Sequence, residues 1–368
     1  MKLKFLNALM LLWLSLTAQQ CFAIKAAELK YSDASQLPLY GTLAPDASKA
    51  YSRLPDSLEN VVRKDLWALG KNSAGLAVRF RSDASAIGAE WTSMLKFNMN
   101  HMTACGIRGL DLYVLDDNGQ WTTVGSARPD FNSKHTRTLV INDMEPRMRE
   151  YMLYLSLYDG VDSLMIGVDS AAVILPPAVN LPRRENPIIM YGTSILQGAC
   201  ASRPGMAHTS ILGRMLNREV INLGFSGNAR LDPEIARLIA AAPDPGVVVI
   251  DAMPNCKTPE VKERLEPFYH IIREAHPNVP IVFVESPVFP LMRFNTETLA
   301  TITEKNKALS DIFKRLADKD KNVYYFKGED VLGDCVEGTV DNYHFNDMGF
   351  TKFTEALFPL LQKLLENK

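Results

Sequence analysis

Asn186-Pro187-Ile188-Ile189-Met190-Tyr191-Gly192-Thr193-Ser194-Ile195-Leu196-Gln197-Gly198 decides how the second half of this 368-residue chain folds. Residues 188–191 form a short, wholly apolar run, the signature of a strand buried on both faces in a parallel sheet. The run stops at Gly192, presents Ser194, and passes through Gly198 toward a helical pattern. In open α/β sheets the carboxyl ends of the strands form the crevice where ligands bind. A serine at that edge, just before a helix, can be reached by solvent and can offer its own backbone N–H to a developing negative charge. It can equally be a helix N-cap and nothing more. This stretch alone leaves both readings open.

Downstream the same grammar repeats. Apolar runs at 220–223, 247–250, 281–284 and 323–326 alternate with helical patterns at 206–216, 232–241, 259–275, 296–317 and 347–365. Five strand-then-helix units predict a parallel sheet covered on both faces. Right-handed crossovers reduce the choices to a flavodoxin-like three-layer α/β/α fold with strand order 2-1-3-4-5. The first three strands end in polar signatures: Gly192-Thr193-Ser194, then Asn222-Leu223-Gly224-Phe225-Ser226-Gly227-Asn228, then Asp251-Ala252-Met253-Pro254-Asn255. A fourth, Asp341-Asn342-Tyr343-His344, stands before the last helix. This topology brings all four to one edge of the sheet.

Upstream the period is two. Residues 75–81 and 109–115 alternate apolar and polar, and the turn Asp116-Asp117-Asn118-Gly119 leads into a strand at 120–124. Residues 136–141 and 151–157 continue the series, predicting an all-β, jelly-roll-like antiparallel sandwich. The exception is 56–69, which reads as one helix or a long crossing loop. Pro176, Pro177, Pro182 and Pro187 surround Arg183-Arg184-Glu185 and predict a stiff linker at 176–186. The sandwich is then 24–175 and the α/β domain 187–368. Residues 1–23, with basic Met1-Lys2-Leu3-Lys4, an apolar stretch at 5–17 and small Ala23, read as a secretory signal peptide. The chain is therefore expected to be exported, periplasmic or secreted; lipid anchoring at Cys21 is the alternative, with Gln20 bulky for such processing.

A net charge of −2 with scattered Lys and Arg argues against nucleic acid as a partner. No later segment is long and apolar enough to span a membrane. Cys105, Cys200, Cys256 and Cys335 allow three complete pairings in an oxidising compartment, and the sequence does not choose among them. No Cys-x-x-Cys or His-x-x-x-His spacing marks a structural zinc site.

The four signatures, in order, resemble the four sequence blocks of the SGNH, or GDSL-like, hydrolases over residues 186–368. Gly109-Leu110-Asp111-Leu112-Tyr113 resembles the GxDLY motif of the β-rich domain that precedes some of them. The resemblance implies Ser194 as nucleophile, His344 as general base and Asp341 as the carboxylate orienting it. It implies an oxyanion hole from the Ser194 and Gly227 backbone N–H groups and the Asn255 side-chain amide, with no metal or organic cofactor. The physics agrees: a serine hydroxyl needs a base, the base needs its tautomer fixed, and the developing oxyanion needs donors. Two departures stand out. Thr193 replaces the usual Asp of Gly-Asp-Ser, and Met253-Pro254-Asn255-Cys256 keeps only the Asn of its block. Leu196 also breaks Gly-x-Ser-x-Gly, so an α/β-hydrolase elbow is not indicated.

The resemblance points to a serine esterase working through an acyl-enzyme on a small acylated substrate, first of all an O-acetylated glycan. A lipase or lysophospholipase is the alternative, and a non-catalytic glycan-binding protein a further one. Asp111 reads as structural. His208, His270 and His276 read as surface or packing residues, and Glu285 as a salt-bridge former or a crevice residue. Trp91 and Trp121 are assigned to packing rather than to sugar stacking.

Overall fold

The computed structural model describes residues 24–44 and 51–366, so the expected signal peptide and Cys21 lie outside the described residues. The first half carries β1 (Lys30–Asp33), β2 (Leu39–Tyr40), β3 (Ala77–Ser82), β4 (Ile87–Ser93), β5 (Leu110–Leu115), β6 (Trp121–Ala127), β7 (His135–Ile141), β8 (Arg149–Tyr154), β9 (Val161–Val168) and β10 (Ile174–Leu175). Two antiparallel sheets form, ordered β1-β9-β4-β7 and β10-β3-β8-β5-β6, with β2 paired to β3. Trp91, Leu164 and Ile166 from one sheet meet Phe80, Leu112 and Tyr151 from the other in a single core. This is the sandwich that the alternating runs predict. The short helices α1 (Lys64–Gly70) and α2 (Ala104–Arg108) interrupt it.

The second half carries β11 (Arg183–Gly192), β12 (Arg218–Gly224), β13 (Val247–Asp251), β14 (Ile281–Val284) and β15 (Val323–Phe326). They form one parallel sheet in the order β12-β11-β13-β14-β15, which is 2-1-3-4-5 as expected. β11 starts at Arg183, inside the proline-rich stretch, because Arg183 already pairs with Arg218 ahead of a register shift. Pro187 is tolerated there: its carbonyl accepts the Gly246 N–H at 2.8 Å, and its missing donor is not required. The helices are α3 (Ser194–Gln197), α4 (His208–Leu216), α5 (Pro233–Ala240), α6 (Thr258–Ala275), α7 (Thr296–Ala317), α8 (Gly328–Leu332) and α9 (Asp347–Glu366).

Successive β11 side chains face opposite layers. Ile189 and Tyr191 pack with α5, α6 and α7, whereas Ile188 and Met190 pack with α3, α4 and α9. Because both faces are covered, the strand reads as a continuous apolar run.

The two halves share their cores. Leu54, Val62 and Leu66 join the α5–α7 layer, so the 56–69 segment contains α1 and lies across the α/β domain. Ile107, Leu157 and Tyr158 join the opposite layer. Arg53 is buried against the carboxyl end of β12, donating to the Gly224 carbonyl at 2.5 Å and the Asn222 carbonyl at 3.2 Å. Burial pulls its guanidinium down to about 9. Asp111 and Tyr113 of the GxDLY strand reach across too. Arg203 Nη1 lies 2.5 Å from Asp111 Oδ2 and donates to the Tyr113 hydroxyl at 2.7 Å, while the Gly205 N–H donates to Asp111 at 2.9 Å. Burial raises the Asp111 carboxyl, and Arg203 opposes that rise. Asp111 is thus structural, as expected: it clamps the loop that follows Ser194.

Among the described residues no helix is long and apolar enough to cross a membrane. Cys105, Cys200, Cys256 and Cys335 are all free thiols, so none of the open pairings is realised. Cys200 instead donates to the His101 carbonyl and Cys256 to the Ala229 carbonyl. Trp91 is core, with its indole N–H on the Arg108 carbonyl. Trp121 packs under the Arg79 guanidinium.

Candidate active site

The register pairs Gly192 with Gly224 on one side and with Asp251 on the other, which sets the first three loops side by side at the carboxyl edge. Thr193 is the N-cap of α3, its hydroxyl accepting the Ile195 N–H at 3.3 Å. The capping role open to Ser194 therefore falls to its neighbour. Ser194 sits in the first turn with its hydroxyl free to face the cleft, 9% exposed.

The fourth loop reaches that hydroxyl. Thr339 bridges Phe345, and the Val340 N–H donates to the His344 carbonyl at 2.9 Å, closing a tight loop in which Asn342 takes the left-handed conformation. Within it the Asp341 Oδ1 accepts the His344 backbone N–H at 2.8 Å, and Oδ2 lies 2.7 Å from His344 Nδ1. His344 Nε2 lies 2.9 Å from Ser194 Oγ. Burial alone would raise the Asp341 carboxyl, but the bonds from the His344 ring and backbone hold it below the usual carboxylate range. An ionised Asp341 places the imidazole proton on Nδ1 and leaves Nε2 as the acceptor toward Ser194.

Of the three expected oxyanion donors, Asn255 shares a cleft with the Ser194 hydroxyl. Asn255 Oδ1 accepts the Ala229 N–H at 3.2 Å, which orients the amide and leaves its Nδ2 for the cleft it lines with Ser194 and His344. The Ser194 and Gly227 backbone N–H groups donate to no described residue. Gly227 has φ +66°, and a Cβ there would meet nothing within 4 Å. A side chain would be strained and would point into open space.

Residues that sequence reasoning did not single out hold these loops. Gln197 Oε1 accepts the Ser226 N–H at 3.0 Å, while its amide donates to Asn72 and to the Leu157 carbonyl. Arg63 grips Asp232 at 2.6 Å and Asn228 at 2.7 Å, fixing the loop on the far side of Gly227. Tyr158 donates to the Ser194 carbonyl at 3.3 Å. His101, also from the sandwich half, lies with its ring 5.7 Å from that of His344. His101, Cys200 and His344 each offer a ligand atom, all within 4.8 Å of one another. With Nδ1 held by Asp341, a cation there would have to take His344 Nε2 and draw it from Ser194.

The remaining candidates lie elsewhere. His208 is buried among Phe350 and Phe353, His276 contacts the Ile239 carbonyl, and His270 is exposed beside Glu266. Glu285 accepts from the Tyr325 hydroxyl and the Gly328 N–H, a structural role made with neutral donors rather than a salt bridge.

The GDSL-like lipase/acylhydrolase family matches residues 185–362, and the N-terminal region of SGNH-hydrolase-type esterases, GxDLY, matches residues 29–174. No curated protein matches the sequence. A crystal structure from Bacteroides ovatus ATCC 8483, described as a GDSL-like lipase, is 32% identical with a TM-score of 0.86, covering 92% of this chain and 98% of that one. A salicylyl-acyltransferase from a tetracycline biosynthetic pathway shares the fold at 18% identity and a TM-score of 0.72, covering 89% and 95%. An acetyl xylan esterase from Butyrivibrio proteoclasticus does so at 12% and 0.57, covering 92% and 99%. With its two halves matched in order and a relative of that identity along nearly its whole length, this chain belongs to the GDSL-like lipase/acylhydrolase family, the SGNH hydrolases, and is a hydrolase of the esterase type.

Proposed function

We propose that the chain is a serine esterase acting through an acyl-enzyme, and that its substrate is an O-acetylated glycan. The observation that carries the reading is the relay Ser194 Oγ to His344 Nε2 at 2.9 Å and His344 Nδ1 to Asp341 at 2.7 Å, with Asn255 lining the same cleft. Ser194 attacks the acyl carbon while His344 takes its proton. The oxyanion rests on the Ser194 and Gly227 N–H groups and on Asn255 Nδ2. His344 returns the proton to the departing alcohol, and water deacylates the enzyme by the same route. Asp341 keeps the tautomer and stabilises the imidazolium.

The glycan choice draws on neighbours of the same two-part build: the acetyl xylan esterase, and a Clostridium thermocellum family two carbohydrate esterase solved with cellohexaose, 13% identical with a TM-score of 0.55 over 80% of this chain and 93% of that one. The signal-peptide reading of residues 1–23 would place the enzyme outside the cytoplasm, where such polymers are met. The test is acetate release from a panel of acetylated glycans. The reading expects release by the wild type and a loss of at least ~10⁴-fold in Ser194→Ala; release unchanged by that substitution would overturn it.

One observation favours a lipase or lysophospholipase instead. A groove of about 230 Å³, lined mainly by Val288, Met292, Leu299 and Val336 with Arg293 and Glu329 among them, adjoins the cleft through Phe289. Comparing p-nitrophenyl acetate with the decanoate separates the two. A higher kcat/KM on the long chain would favour the lipase.

A further inference from the structure

The cleft beside Ser194 holds two polar groups that the esterase reading leaves unused. It measures about 230 Å³ and is lined, beyond Ser194, Asn255 and His344, by Ser286, Ile302 and Lys305. Lys305 is 7% exposed, yet its ammonium makes no ion pair or hydrogen bond with any described residue. Ser286 is 1% exposed and its hydroxyl is likewise unpartnered. A mostly buried lysine whose ammonium opens only to the cleft, with no direct ion pair, is costly to hold, as is a buried unpaired hydroxyl.

The two are held there by design of the fold. Asn306, next to Lys305 on α7, accepts the Ser286 N–H at 2.9 Å and donates to the Ser286 carbonyl at 3.0 Å. That pair of bonds fixes the loop after β14 against the helix and sets hydroxyl and ammonium on the same wall. In α7, Lys305 and Asn306 fall on the buried stripe with Ile302, Leu309 and Ile312, where apolar residues would pack at no such cost. The nearest influences on Lys305 are Cys256 and Glu260; Glu260 is engaged by the Lys257 N–H and by Arg264. Burial lowers the Lys305 amine from its ordinary value, so an anion arriving beside it would restore what desolvation removes.

We propose that Lys305 and Ser286 form a carboxylate-binding subsite, so that this esterase selects substrates carrying a carboxylate near the scissile ester. The carboxylate could belong to the acyl group, as in a hemisuccinate, or to the alcohol, as in an acetylated uronic acid. Either chemistry satisfies the ammonium by charge and the hydroxyl by donation. The proposal rests on the serine-esterase reading.

The test has two arms. One compares p-nitrophenyl hemisuccinate with p-nitrophenyl butyrate; the other compares acetyl esters of methyl glucuronoside and methyl glucoside. Wild type, Lys305→Met, Lys305→Arg and Ser194→Ala are assayed in both. In one arm the wild type should favour the anionic ester, and the ratio of anionic to neutral kcat/KM should fall at least ~10-fold in Lys305→Met while Lys305→Arg retains it. A wild-type ratio near one in both arms, or a ratio indifferent to Lys305→Met, overturns the subsite and leaves the esterase reading intact, provided Ser194→Ala abolishes hydrolysis. If instead no ester is cleaved, the esterase reading fails. Thermal stabilisation of the wild type by succinate, matched against butyramide, then still tests the subsite. Should Lys305→Met not fold, the wild-type ratio and that thermal shift decide.

Discussion

Asn255 commits its side-chain oxygen to the Ala229 N–H, so only the amide nitrogen is left for the cleft. If that nitrogen serves the oxyanion, as proposed, Asn255→Ala should lower kcat by ~10²–10³ with little change in KM, because such a donor acts in the transition state alone. Steady-state kinetics on p-nitrophenyl acetate checks this, and an equal rise in KM would contradict it. His208 carries a different expectation. Buried with both ring nitrogens unpartnered, it is driven by burial from 6.5 down to about 3. Between those values the unfolded chain binds a proton that the folded chain refuses, so stability falls as pH drops through that window. From pH 7 to 5 the wild type should lose ~2 kcal/mol more than His208→Leu in urea unfolding; parallel losses would exclude the idea. At this scale the sequence was partly legible. Ser194, His344, Asp341, Gly227 and Asn255 could be named as candidates because four blocks stand in order, even with Pro254 and Cys256 around the Asn. Lys305 was hidden inside an otherwise ordinary helical pattern, although a lysine on an apolar stripe is itself a signal. Thr193 as the N-cap was invisible, since Ser and Thr cap equally well.

Among the elements, β5 shows what a strand motif can do beyond its own sheet. Its Asp111 meets Arg203 from a loop 92 positions away, and Tyr113 joins them. Asp111 is fully buried whereas the Arg203 side chain is 24% exposed, so the two sides of the pair are not equivalent. Arg203→Met strands a buried carboxylate and should cost about 3 kcal/mol or more. Asp111→Asn leaves a guanidinium that can turn toward water, and should cost less. Urea titrations rank the two, and the reverse order would contradict the buried-charge account. Periodicity marked β5 as a strand because alternation is a local property. Its clamp on the loop after Ser194 was beyond reach, since no spacing encodes a contact at that separation. The short helices α1, α2 and α8 were missed, or left open, for a related reason: five to seven residues carry too few turns for a period to emerge.

The whole molecule is less divisible than its two sequence grammars imply. Strand order and layers followed from five βα units, but not the way residues 53–72 lie on the α/β half. Arg53 caps the β12 carbonyls, and Leu54, Val62 and Leu66 complete the α5–α7 layer. Expressed alone, residues 176–368 should therefore lose the cooperative unfolding of the full chain and at least ~10²-fold of its activity, through a loosened oxyanion loop. Calorimetry and p-nitrophenyl acetate hydrolysis measure both, and a stable, fully active fragment would show that the halves are independent. Whether Ser194 and His344 act as one unit across the cleft is decided by covalent labelling with a fluorophosphonate followed by mass spectrometry. A single adduct on Ser194 is expected, formed at least ~10³-fold more slowly in His344→Ala. An adduct on another residue, or labelling of Ser194 indifferent to the loss of His344, would contradict it.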